Sequence, residues 1–226
     1  MVAVLGHLNL VLGDPFLTIN DIPFSTRAFW MRKANEALFD VHGDPCPFAA
    51  FGTVIVNHTA DGLGEAVCIG ANSGMQTGNP VLHGEVAAIS NCSKILTDPN
   101  GKYKLTAQES IAAFAELSLY TNAESCTMCA SALEWAGFKE YIYGTSIDTL
   151  TKHGWTQIQI PSVEVLRQSF DLQANTRLIP GILANETDPY FLWQYNPAEK
   201  CPKNCVRSNA TCTAQNTQNS TNASVV

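Results

Sequence analysis

Hydrophobic and polar positions change period along the chain, and each change marks an element. Phe29, Met31, Ala34, Leu38 and Phe39 recur at near-helical spacing behind Ser25, a residue suited to an N-cap, which predicts an amphipathic helix from about 26 to 40 ended by Gly43-Asp44-Pro45. Phe51 to Asn57 is a continuous β-branched run. Glu65 to Ala71 returns after Asp61-Gly62 and Gly64, so the two runs predict a hairpin. After the Asn72 to Pro80 loop, His83 to Leu96 reads as helix, Ala107 to Ala115 as one or two helical turns, and Leu117 to Thr121 as a third strand. A helix from about 126 to 136 stops at Gly137. Then follow a strand at Glu140 to Tyr143, a short helix at Ile147 to Lys152, a short fifth strand at Ile158 and Ile160, and a helix at Val163 to Phe170.

Helix, hairpin, then alternating helix and strand require an α/β fold with a mixed five-stranded sheet whose crossovers cover both faces, a three-layer α/β/α sandwich. The chain divides into an N-terminal arm at 1–24, a main domain at 25–175 and a C-terminal extension at 176–226. In the extension, Asp188 to Tyr195 places four aromatics in eight residues, expected to cover the body or an oligomer interface. From Ala198 onward Asn, Thr, Ser and Ala dominate, a composition disordered by itself unless Cys201, Cys205 and Cys212 pin it.

Composition narrows the partners. With 13 Lys and Arg against 20 Asp and Glu, the net charge is −7 and no basic stripe stands out, so no nucleic-acid partner is expected. No apolar run of about 18 residues exists to span a membrane. Once Cys126 and Cys129 are set aside, Cys46, Cys68, Cys92, Cys201, Cys205 and Cys212 remain, either as buried thiols or as up to three disulfides of undetermined pairing. Glycosylation triplets start at Asn57, Asn91, Asn185, Asn209, Asn219 and Asn222, and together with the C-terminal cysteines they favour an extracellular glycoprotein. Val2 to Leu12 lacks the basic start and unbroken apolar run of a signal peptide, so secretion would make Met1 the replacement of a removed leader.

The chemistry concentrates between Val81 and Ala136. His83-Gly84-Glu85 opens this stretch and Cys126-Thr127-Met128-Cys129 closes it: one imidazole, two thiols three residues apart, and a carboxylate beside the imidazole. Three such ligands leave a zinc ion with an open fourth position, where it lowers the pKa of bound water to about 7. Cys126 and Cys129 fall in the first turn of their helix, on one face, where the helix N-terminus favours thiolates. His83 begins another helix, so two helix N-termini are expected to converge on one metal.

H-x-E followed by Cys-x-x-Cys in this order resembles the zinc-dependent cytidine and deoxycytidylate deaminase superfamily, and most of all its branch of guanine, nucleoside and tRNA adenosine deaminases. The likeness runs from about Phe29 to Trp155. It implies the same five-stranded core, one Zn²⁺ per subunit held by His83, Cys126 and Cys129, Glu85 as proton shuttle, and a homodimer. Asn72 corresponds to the family's base-edge reader. Gly84 stands where alanine is usual, with a backbone N–H that would hold a substrate carbonyl, and Trp155 falls where the family lines its pocket. The family's Glu-Pro-Cys-Pro-Met-Cys appears as Glu124-Ser125-Cys126-Thr127-Met128-Cys129, with both prolines replaced.

The resemblance implies a hydrolase acting on C–N bonds of cyclic amidines: a deaminase of a small heterocyclic amine, a purine-like base or nucleoside with guanine as first candidate, releasing ammonia. Two alternatives stand beside it, recruitment of the fold to a specialised metabolite and a catalytically silent secreted zinc protein. Retention of Glu85, which is not a metal ligand, argues against silence. The 190–195 aromatics are placed to close the pocket of their own or a neighbouring subunit.

Overall fold

One sheet with an apolar cluster on each side accounts for the layering. The computed structural model describes residues 18–59, 62–172 and 175–215. Its elements begin with β1 (Thr18–Ile19), β2 (Ile22–Pro23), α1 (Phe24–His42), β3 (Gly52–Asn57), β4 (Glu65–Ala71), α2 (Gly74–Thr77) and α3 (Gly84–Thr97). There follow α4 (Ala107–Ala113), β5 (Leu117–Ala123), α5 (Thr127–Ala136), β6 (Glu140–Thr145), α6 (Ile147–Lys152) and α7 (Ser162–Arg167). The chain ends with β7 (Arg177–Ile179), α8 (Ala184–Thr187), α9 (Pro189–Leu192), β8 (Cys205–Ser208) and β9 (Thr211–Ala214).

The five-stranded sheet has the order β4-β3-β5-β6-β7. β3 lies antiparallel to β4 and β5, whereas β5, β6 and β7 run parallel, so the sheet is mixed. β5 is buried along its whole length. On one face α1 packs Ala28, Met31 and Ala34 against Val54, Tyr120 and Ile142. On the other, α3 and α5 bring Ala88, Cys92, Leu96 and Leu133 against Ile55, Leu119 and Tyr141. Parallel β5 and β6 reach the same end of the sheet, and their outgoing loops meet there.

α1 starts two residues ahead of its expected place. Pro23, not Ser25, is its N-cap and no side chain caps it. What holds its first turn is Arg27, fully buried, whose guanidinium donates to both oxygens of the buried Glu140 carboxylate at 3.0 and 2.9 Å. Ser118 and Asn20 donate to the same carboxylate at 3.0 and 2.7 Å, so the charge enters the core fully solvated by protein. This network lies at the end of the sheet away from the outgoing β5 and β6 loops.

The expected fifth strand at Ile158 and Ile160 does not form. Both side chains are exposed in an irregular segment, and the fifth strand is the three-residue β7, pairing parallel to β6 two residues beyond the 175 boundary. Only Ile179 of β7 is buried, so its sequence offers no alternation to read.

Six cysteines form three disulfides, Cys46–Cys205, Cys68–Cys92 and Cys201–Cys212. The last staples the Asn/Thr/Ser-rich segment into the β8–β9 hairpin, whose polar composition alone would not order it. Most of the N-terminal arm, and the triplets at Asn219 and Asn222, lie outside the described residues.

Candidate active site

β5 runs out into Ala123 and Glu124, and the chain turns directly into α5 with Cys126 as its N-cap. β4 ends at Ala71, and the loop that follows delivers His83 as the N-cap of α3. The His83 side chain makes no capping bond to α3. Both cap side chains face the same point: His83 Nδ1 lies 3.6 Å from Cys126 Sγ, and the donor atoms of His83, Cys126 and Cys129 all lie within 4.8 Å of one another. His83 and Cys126 are half-buried and Cys129 fully buried. Among the described residues, Cys126 and Cys129 are the cysteines left free of disulfides.

This donor set fits zinc. Bonds of about 2.0–2.1 Å to nitrogen and about 2.3 Å to sulfur at a tetrahedral angle place N and S about 3.6 Å apart, the separation found here. The Cys129 thiol's hydrogen bond, with His83 on the other side, pulls Cys126 down to about 4, and the same bond pushes Cys129 up.

Glu85 sits in the first turn of α3, 4% exposed, and burial pushes its carboxyl above the usual carboxylate range. It opens with His83 and Cys126 onto a cavity of about 230 Å³. Asn72 lines the cavity too, its backbone fixed by N–H donation to Phe51 O and by His42 against its carbonyl, each at 2.9 Å. Its carboxamide oxygen accepts from Gly74 N–H at 3.2 Å, the turn role open to any Asn in such a loop. Trp155 forms an aromatic wall with Phe51 at 5.5 Å between ring centroids, and its indole N–H donates to Phe191 O at 2.6 Å.

Gly84 is not brought to the cavity lining. A Cβ there would stand 2.7 Å from Phe51 O and 3.2 Å from Thr53 Oγ1, so the missing methyl lets α3 lie directly on β3. Gly70 does the same from β4, where a Cβ would meet Gly84 O at 2.6 Å.

The replaced proline at 125 has a physical reason. Ser125 donates its backbone N–H, which proline lacks, to the hydroxyl of buried Tyr141 at 2.7 Å. Glu124, on the cavity wall, is fully engaged: its oxygens accept from Ile147 N–H at 2.9 Å and from Ser162 N–H and Oγ–H at 2.8 Å each, tying the starts of α6 and α7 together. Sequence reading missed Ala49, Phe51, Thr156 and Gln157, which complete the lining. They carry no motif and are gathered from loops whose meeting only the fold reveals.

Residues 25–145 match the sequence model of the cytidine and deoxycytidylate deaminase zinc-binding region. The chain belongs to that zinc-dependent deaminase family. It is 27% identical to the guanine deaminase of Bacillus subtilis over 147 residues, 64% of this chain and 79% of the relative. It is 27% identical to a cytosine deaminase of Candida albicans over 99 residues, 44% of this chain and 54% of that protein. Among solved structures, a guanine deaminase from Nitrosomonas europaea superposes with a TM-score of 0.52 at 17% identity, over 80% of this chain and 87% of the other. A complex with 2,6-diaminopurine gives 0.54 at 17% identity, over 81% and 85%. At such identity these structures speak for the shared fold. The family match ends ten residues before Trp155, so the aromatic wall and all that follows it lie outside the matched region.

Proposed function

We propose that the protein is a hydrolytic deaminase of a free purine-like base, guanine first among candidates, with one zinc ion held by His83, Cys126 and Cys129. The observation that carries the reading is Glu85: a buried carboxyl with a raised pKa, opening onto the same small cavity as the ligand set. A structural zinc site needs no such group. When bound, zinc would supply an activated water at neutral pH.

Glu85 would take the first proton that this water gives up and pass it to a ring nitrogen of the substrate, then take the remaining proton of the added hydroxyl group and deliver it to the amino nitrogen that leaves as ammonia. Its raised pKa brings it closer to the operating pH, where a group can both take and give. Phe51 and Trp155 offer apolar area to a planar ring, while Asn72 and Gln157 offer amide groups to its polar edge. A cavity of about 230 Å³ is smaller than the range of about 300–1,000 Å³ that holds drug-sized ligands, which favours a bare base over a nucleoside. The relatives named for guanine and cytosine deamination support a nucleobase.

Two further parts of the reading concern its setting. Three disulfides spread over the chain suit an oxidising, extracellular compartment. A homodimer would use the face where Trp135, 76% exposed, lines a groove of about 540 Å³ between α5 and α7. Light scattering of the wild type beside Trp135→Glu tests the dimer.

The decisive experiment measures ammonia released by zinc-loaded protein from guanine, adenine, cytosine and their nucleosides, with Glu85→Gln alongside. Release from one free base that the variant abolishes supports the reading. Silence across the panel with zinc bound at one per chain would overturn it.

A further inference from the structure

The wall of the cavity is carried by a stretch with neither helix nor strand. From Asp44 to Phe51 the chain is irregular, and its polar anchoring is thin. Cys46 N–H donates to the Asp44 carboxylate at 2.8 Å, Asn122 Nδ2 to the Ala50 carbonyl at 2.8 Å and Gln194 Nε2 to the Phe48 carbonyl at 2.9 Å, while Phe51 N–H donates to Ala49 O and Phe51 O accepts from Asn72 N–H, each at 2.9 Å, so that five bonds serve eight residues. This stretch nevertheless places Ala49 and Phe51 on the cavity. Segments held by so few bonds are the ones that open locally first.

The C-terminal extension grips the stretch from outside. The ring of Phe48 lies 5.6 Å from Trp155, 6.1 Å from Trp193 and 5.9 Å from Tyr195. Trp155 in turn meets Tyr195 and Phe51 at 5.5 Å each. Two residues before Phe48, Cys46 is bonded to Cys205 across 159 positions of sequence, and Trp193 and Cys212 are buried against that link. Cys205 opens a hairpin already closed by Cys201–Cys212, so the tether ends in a stiff unit rather than a loose tail.

We propose that the Cys46–Cys205 disulfide is a positioning crosslink for the substrate pocket: it fastens the 44–51 wall to the C-terminal hairpin of the same chain, with Phe48 holding Trp155 in place between them. Neither cysteine nor Phe48 touches the cavity, so all three act through Phe51 and Trp155. The crosslink pre-pays the ordering of the wall, a cost that substrate binding would otherwise carry. It governs how well a planar ring is received and leaves the proton chemistry at Glu85 alone. The kinetic part of this inference rests on the deaminase reading; the ordering of the wall does not.

The test compares full-length wild type with Cys46→Ala/Cys205→Ala, Phe48→Ala, and Cys68→Ala/Cys92→Ala, whose disulfide joins β4 to α3 away from the cavity. Loss of any disulfide lowers thermal stability, so melting temperature does not discriminate. Removing Cys46–Cys205 should raise KM for the deaminated base about tenfold or more with kcat within about threefold, because misplacement of the wall is felt in binding. Hydrogen exchange at residues 47–52 and 155–157 should speed up in the same variant. Phe48→Ala should shift both readouts the same way by less, and the Cys68/Cys92 variant should shift neither. Unchanged KM, or faster exchange confined to the 205–214 hairpin, would overturn the proposal. Should wild type deaminate none of the bases tested, the functional reading fails, and exchange at the wall still decides whether the crosslink orders it.

Discussion

The floor of the cavity and its wall are built by opposite means. His83, Glu85 and Cys126 hang from the first turns of two helices packed on the sheet, and each group's position follows from a few neighbouring residues. The wall is assembled from the irregular 44–51 stretch, the turn before Trp155 and the 190–195 segment, which meet through ring contacts and a disulfide between distant residues. The floor is thereby tied to the backbone of the sheet, whereas the wall can be recast without disturbing it. The difference separates two quantities, turnover and acceptance, that an enzyme can vary independently.

The largest expected effect belongs to the floor. Glu85→Gln should lower kcat by about 10²–10⁴, the usual share of a general acid/base, while metal analysis still finds one zinc per chain. A variant that kept its turnover would move the chemistry off this floor.

Next comes the end of the sheet remote from both regions. Arg27→Met strands the buried Glu140 charge, which Arg27 otherwise holds below the usual carboxylate range against the desolvation that burial imposes. The cost should be about 3–5 kcal/mol in urea unfolding, with KM unchanged for the folded protein. A changed KM would mean that floor and wall are not independent of the sheet's far end.

Trp155→Ala tests the wall directly. Loss of its ring contacts and of the bond to Phe191 O should raise KM about tenfold, a change of about 1.4 kcal/mol, with a smaller change in kcat. Equal losses in both would place Trp155 in the transition state and erase the distinction.

The smallest effect is a pH control. Burial, with the Arg27 charge behind it, lowers the pKa of His58, which lies beside the Tyr120 hydroxyl at 2.9 Å; Glu140 pulls the other way and Lys139 adds to the lowering. The unfolded imidazole takes up its proton first, near about pH 6.5. His58 therefore contributes stability that is present above that pH and lost as pH falls through its lower folded value. Urea midpoints at pH 7.5 and 5.5 should differ less in His58→Gln than in wild type.

What could be read from the sequence divides along the same line. α6 begins and ends where the apolar spacing placed it, and β3 pairs with β4 in the hairpin the Gly-rich turn announced. Within the site, His83, Cys126 and Cys129 were legible because metal chemistry constrains spacing, and Glu85 through the family resemblance; the structure brings the first three together and places His83, Glu85 and Cys126 with Asn72 and Trp155 around one cavity. β7 was illegible because a three-residue edge strand with one buried side chain leaves no pattern, and the isoleucines at 158 and 160 imitated one. Phe51 read as the start of a strand, and its place on the cavity depends on a loop crossing that no local signal encodes. The disulfide pairing was beyond reach for the same reason, since 15 pairings are equal until the chain is folded.

Gly84 carries a consequence for how this chain can change. The family's alanine cannot simply be restored, because its methyl would need space now taken by the Phe51 carbonyl, a backbone atom with no rotamer to yield. An alanine there would require α3 and β3 to separate first, and the contact at Gly70 would have to loosen with them. The glycine works as a latch: a single methyl group at this position would be felt by two secondary-structure elements at once, so a substitution at 84 cannot be made alone.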